Sequence, residues 1–162
     1  MRVCAHTLIA APPESVWEIA ADPSQALGFM SGVTRWEVVG EHPTGLGARY
    51  RMLFRVGSAE IGGLIEIVEW DEPFDFAWTS VTGIDQRGRL RLRRTSGDET
   101  RVEFRLAYSV AGSGLSGWLA ERIAARTIGA HLRRSLQQLR RQVENQQRRE
   151  RAATRRASRP AA

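Results

Sequence analysis

Lysine is missing from the 162 residues, and cysteine occurs once, at Cys4. A lone cysteine excludes an internal disulfide and any multi-cysteine metal site. Set in an apolar first strand, it reads as a small core residue. A phosphate-cradling glycine loop with its lysine is excluded too, and Gly45-Leu-Gly47 is only a turn. Neither a paired-histidine zinc motif nor a nucleophile elbow around a serine is present. His6, His42 and His131 stand far apart in a strand, a turn and the edge of a helical stripe, so they give no metal spacing and no triad. Charge interrupts the longest apolar stretches every few residues, and no basic region at the N-terminus precedes a continuous apolar run. The expectation is a cytoplasmic protein without a membrane span or signal peptide, and without a cofactor or metal.

What is abundant is arginine, 24 residues of it, and its placement matters more than its number. Up to Arg140, 17 arginines stand against 16 Asp and Glu; from Arg141 onward, 7 stand against 2. A nearly neutral body argues against specific nucleic-acid binding. The use of arginine alone fits a GC-rich coding sequence and lowers what each arginine signifies. Residues 1–145 are expected to form one domain, because a chain this long supports one core. From Glu144 the apolar positions stop, and Arg, Gln and Ala predominate up to Ser158-Arg-Pro160. That composition cannot offset chain entropy, which predicts a fraying helix and an Arg-rich disordered tail over 146–162. Within it, Arg155-Arg-Ala-Ser158 has the pattern of a basophilic kinase site.

Hydrophobic periodicity divides the body. Val3 to Ala10 is strand-like; Pro12 and Pro13 end pairing and pre-set a helical turn, with Glu14 suited to a helix N-terminus. A helix over Glu14 to Ala21 places Val16, Trp17 and Ala20 on one buried face. Ala26 to Gly32 forms a second small helix or a flap. The period then becomes two. Val33 to Gly40 sets Trp36 and Val38 on one face, and Ala48, Tyr50, Met52 and Phe54 alternate with arginines. Ala59 to Trp70 follows, with Gly62 and Gly63 permitting a bulge or the close approach of a neighbour. After Asp71-Glu-Pro73 come Phe74, Phe76 and Trp78. Arg87–Arg94 and Arg101–Tyr108 pair through the Ser96-Gly-Asp98 turn. From Ser113 a helical stripe of Trp118, Ala125, Ile128, Leu132, Leu136, Leu139 and Val143 lies on the sheet.

This order is an α+β helix-grip fold: a curved antiparallel sheet of about seven strands around a long C-terminal helix, with two short helices after the first strand. Several pieces resemble the START-like (SRPBCC) superfamily: Ala11-Pro-Pro-Glu-Ser-Val-Trp17 with Asp22-Pro23, Gly45-Leu-Gly-Ala-Arg-Tyr50, Glu69-Trp-Asp-Glu-Pro-Phe74 and Leu136-Gln-Gln-Leu139. The likeness covers roughly residues 2 to 145. It is nearest to polyketide cyclase/dehydrase and lipid-transport proteins and the coenzyme Q-binding group. The resemblance implies an internal cavity between sheet and helix, and leaves the chemistry open.

The expected occupant is a hydrophobic small molecule such as a lipid, isoprenoid, quinone or polyketide. Its expected lining is Trp17, Met30, Trp36, Tyr50, Met52, Phe54, Trp78, Phe104, Trp118, Ile128 and Leu132, a mainly apolar pocket of a few hundred Å³. Tyr50 is a candidate to orient a ligand carbonyl. Glu121, at the centre of the helical stripe one turn from Trp118, is a candidate acid/base group. Without it the protein is a binding or transport module; with it, a cyclase or dehydratase. A third reading is an interaction protein. The rows Arg89, Arg91, Arg93 and Arg101, Arg105, interrupted by Glu103, form a convex face toward an acidic partner, and the basic tail gives peripheral contact with an anionic membrane.

Overall fold

The computed structural model describes residues 1–109 and 115–158, with the backbone alone for Val56 and residues 115–124. In chain order the elements are β1 (Arg2–Ile9), α1 (Pro13–Ala20), α2 (Ala26–Phe29), β2 (Val33–Val39), β3 (Arg49–Val56), β4 (Ala59–Asp71), β5 (Asp75–Ser80), β6 (Gln86–Arg94), β7 (Thr100–Tyr108) and α3 (Leu115–Ala157). The strands form one antiparallel sheet in the order β1-β7-β6-β5-β4-β3-β2.

Pro12 in extended conformation caps α1 and Pro13 opens it, where a missing N–H costs nothing. The Thr100 hydroxyl, fully buried, donates to the carbonyl of Ala11 at 2.7 Å and fastens this turn to the start of β7. Alternation then sets the core. Ala5 and Ile9, Val102 and Phe104, Leu90 and Leu92, Phe76 and Trp78, Ile65 and Ile67, and Tyr50 and Met52 are buried on the inner face. Ile128, Leu132, Leu136, Leu139 and Val143 of α3 complete it at helical spacing. α3 packs along β1 and against α1 and α2, with lighter contact to β3 and β7.

Glycine decides two close approaches. A side chain at Gly62 or Gly63 would strike the carbonyl of Met52 or Thr82, so these residues serve an approaching neighbour, and the irregularity of β4 falls instead at Ile67/Glu69. Gly88, opposite Trp78 in the β5–β6 register, leaves the space the indole ring occupies.

Two expectations are corrected. Cys4 is exposed on the outer face, its Sγ 3.3 Å from Glu103 Oε1, because β1 turns Ala5 and Ile9 inward and the strand period of two sends Cys4 outward. Trp36 and Val38 do share one face, opposite Met52 and Tyr50, although Val38 is 44 % exposed because β2 is the sheet's edge. The tail expected to be disordered from residue 146 is helical through Ala157. Arg, Gln, Glu and Ala are good helix formers. Arg148 to Asn145 and Gln146 to Glu150 support the helix along its own surface, and Gln147 Nε2 donates to Ser15 of α1 at 3.1 Å. Helicity there needs no core, and residues 148–158 are exposed.

Candidate functional site

Between the inner face of the sheet, the α2–β2 connection and α3 lie two adjoining apolar cavities. One, of about 30 Å³, is bounded by Met30, Trp78, Phe104, Leu132 and the polar residues Ser31, His131 and Ser135. The other, of about 50 Å³, is bounded by Ile61, Ile84, Gln86, Tyr108 and Ile128. Met52, Phe54 and Leu106 line both. A third void, of about 20 Å³, lies between α1, α2 and the sheet beside Met30, Trp36, Tyr50 and Trp70. Each has room for about one or two water-sized occupants, far below the roughly 300 Å³ at which small-ligand sites begin. The part of the expected pocket of a few hundred Å³ that Trp118 and Glu121 would line lies outside the described residues.

One wall of the first cavity is polar. The Ser31 hydroxyl and His131 Nδ1 are 2.9 Å apart. The backbone N–H of Ser31 donates to Ser135 Oγ at 2.9 Å, and Ser135 Oγ donates to the His131 carbonyl at 2.9 Å. His131 and Ser135 are spaced i, i+4 on one helical face, so α3 presents both to the same point of the α2–β2 connection. The His131 ring meets Phe54 edge-on at 5.1 Å. Burial first, and the Arg134 charge second, lower its pKa from the ordinary 6.5, which favours a neutral imidazole that can accept or pass on a proton. Trp78, 2 % exposed, lines the same cavity with its Nε1–H buried and without a hydrogen-bond partner. That is an unspent donor in an apolar wall.

The family described as polyketide cyclase / dehydrase and lipid transport matches residues 2–144. The chain belongs to this family. No curated protein matches it in sequence. Among solved structures it is similar to a Thermus thermophilus protein, at 24% identity and TM-score 0.78 over 90% of this chain and 98% of that one. It is also similar to Zhui aromatase/cyclase from Streptomyces, at 16% identity and TM-score 0.74 over 89% and 93% of the two chains. A START superfamily protein from Mycobacterium smegmatis follows at 14% identity and TM-score 0.66, over 89% and 97%. These likenesses establish the fold: the seven-stranded antiparallel sheet with its long C-terminal helix is the helix-grip fold.

Seven of the expected lining residues of this cyclase/dehydrase-family chain meet at the two adjoining cavities: Met30, Met52, Phe54, Trp78, Phe104, Ile128 and Leu132. Trp36 and Tyr50 stack on one another at 5.0 Å beside the third void. Tyr50 donates its hydroxyl to the Pro43 carbonyl at 2.8 Å, and burial pushes its phenol up to about 12. Its hydroxyl is thus taken by the backbone and is away from the polar wall, against the expectation that it orients a ligand carbonyl. Trp17 lines none of the three cavities; it is 5 % exposed in an aromatic cluster, edge-on to Trp70 at 4.9 Å and Phe76 at 5.6 Å. The side chains of Trp118 and Glu121 lie outside the described residues. Sequence reasoning missed Ser31, Ser135 and Gln86. The available signal was the spacing of His131 and Ser135 next to Leu132 and Leu136 of the stripe. Among the described residues, no group of three His, Cys, Asp or Glu side chains could hold a metal, and no helix is long and apolar enough to cross a membrane.

Proposed function

We propose that this protein binds, and transports, a hydrophobic small molecule with one polar end, in the space now divided between the two adjoining cavities. The observation that carries this reading is the shared wall of Met52, Phe54 and Leu106, with His131 and Trp78 lining the first cavity and the Trp78 Nε1–H buried without a partner. Met is unbranched and flexible, so a rotamer change at Met52 joins the cavities at low cost. The apolar body of a lipid, isoprenoid, quinone or aromatic polyketide then displaces little water, and a carbonyl or hydroxyl at its end satisfies the orphaned indole donor. The family's description supports the ligand class.

The test is native mass spectrometry of purified protein, with organic extraction of any adduct, and titration with oleic acid, geranylgeraniol, decylubiquinone and emodin as probes of the four classes. At least one class should bind with 1:1 stoichiometry. Leu106→Trp, which fills both cavities, should weaken that binding at least tenfold. If no class binds, or if Leu106→Trp binds as well as the parent, the reading fails.

A second reading is an enzyme of cyclase or dehydratase type, and the Ser31–His131 pair favours it. A neutral imidazole oriented by a hydroxyl can remove a proton from a bound substrate and return it to a leaving hydroxyl. His131→Gln preserves shape and hydrogen bonding. Loss of turnover with retained ligand binding would support the enzyme; an activity unaffected by this change would exclude His131 as its base.

A further inference from the structure

The outer face of the sheet holds a second feature, unrelated to the cavities. Register places Arg2, Ala107 and Arg87 in one row across β1, β7 and β6, then Cys4, Arg105 and Arg89, then His6, Glu103 and Arg91, then Leu8, Arg101 and Arg93. The outward positions of these three strands thus carry seven arginines against one carboxylate, although residues up to Arg140 are almost balanced. Like charges stand directly opposite at Arg89/Arg105 and Arg93/Arg101, an arrangement that destabilises a sheet unless something offsets it. The offset is partial. Arg89 pairs with Glu69 and Asp75, Arg91 with Asp75, and Arg105 with Glu103. Arg2, Arg87, Arg93 and Arg101 have no carboxylate within ion-pair distance among the described residues.

Between Arg2, Arg87, Arg89 and Arg105 the surface dips into an open hollow of about 510 Å³ that Ala77, Ala107 and Val68 also line, with Glu69, the ion-pair partner of Arg89, on its edge. A second hollow, of about 470 Å³, continues beyond Arg2 and Arg87 toward Asp85 and Ser109. Val68 is 43 % and Leu8 49 % exposed on the same side.

We propose that this convex face docks an acidic protein, whose carboxylates enter the hollow between Arg2, Arg87, Arg89 and Arg105. Three observations select a protein over other polyanions. Glu103 and Asp75 cross the arginine field as an acidic band between the Arg89/Arg105 and Arg93/Arg101 rows, and a uniformly anionic bilayer or duplex would meet that band with repulsion. A protein surface can carry the complementary pattern, and charge pattern is what fixes partner and register. No Phe, Tyr or Trp stands among the outward positions of β1, β6 and β7 to enter a bilayer, whereas exposed Leu8 and Val68 beside arginines have the composition of a protein interface. Guanidinium forks also match carboxylates in a bidentate way.

The experiment uses the full chain and a fluorescein-labelled 20-residue peptide of five Glu-Glu-Arg-Ser repeats, an acidic chain with interspersed cations, read by anisotropy at low and high salt, beside phosphatidylglycerol-containing vesicles and a 20-base-pair duplex DNA. Arg2→Ser/Arg87→Ser/Arg105→Ser removes three exposed guanidiniums; Arg49→Ser/Arg51→Ser/Arg55→Ser removes three from β3 and serves as the charge-matched control. Circular dichroism melts establish that each variant folds. The triple variant should bind this peptide at least tenfold more weakly than the parent, the control less than threefold. Equal losses in the two variants would mean diffuse charge and overturn the proposal. So would vesicle or duplex binding that depends on the same three arginines more strongly than peptide binding does, because the face would then be a phosphate surface.

Discussion

At the scale of single residues, the interior turns on what small and neutral side chains permit. Gly88 leaves room for the Trp78 indole, a ring that is 2 % exposed and cannot swing aside. Gly88→Ala is therefore an overpacking change rather than a filled void. It should cost about 1–3 kcal/mol in urea unfolding, the range for forced shifts in a packed core, and should change the near-ultraviolet dichroism of Trp78. An unchanged unfolding midpoint would place the ring elsewhere. His131 offers a second measurement. Its pKa is lowered by burial and by Arg134, so the unfolded chain binds this proton more readily than the folded one. The stability this provides is complete above pH 6.5, the ordinary value, and is lost as pH falls from there through the folded-state value. The urea midpoint of the parent should drop more between pH 7 and pH 5 than that of His131→Gln. Parallel curves for the two proteins would show that His131 does not titrate differently on folding.

At the scale of elements, α3 does two jobs with different physics. Its 43 residues reach about 64 Å at the usual helical rise, longer than the sheet needs. Up to Val143 the helix is held by its buried stripe; beyond Gln147 only local pairs and helix propensity hold it. Removing residues 148–162 should thus leave the melting temperature within about 2 °C of the parent, since exposed changes away from the core are worth roughly 0.5 kcal/mol. A large fall in the thermal melt would reveal a structural role for the extension. α1 is the reverse case, short and firmly docked through Trp17 against Trp70 and Phe76. Its helical spacing was legible because Val16, Trp17 and Ala20 share a face whatever they pack on. The same reasoning erred at Cys4, where apolar surroundings in sequence gave no parity, and at the tail, where poor core-forming composition hid good helix-forming composition.

At the scale of the molecule, the cavities bordered by the described residues are small, and the proposed ligand must join them. Binding to the folded state alone adds about 2.7 kcal/mol at a ligand concentration one hundred times Kd. For a domain of this size that corresponds to a rise of roughly 5–10 °C in melting temperature. Differential scanning fluorimetry with the probe that binds in native mass spectrometry should show it. No shift at saturation would mean that the ligand sits on the surface or binds the unfolded chain equally well. The fold itself was determined by sequence alone: alternation of apolar residues names each strand, the proline pair and the helical stripe name the helices, and their order leaves one arrangement that buries every stripe. Seven of the cavity-lining residues followed, because inward parity is a local property of a strand or helix. The division of that cavity, the meeting of Ser31 with His131 and Ser135 across a hundred residues of chain, and the unpartnered indole of Trp78 were decided by tertiary packing. Which side chains fill a space, and which donor is left without an acceptor, depend on distances between elements. Periodicity along the chain carries no information about those distances.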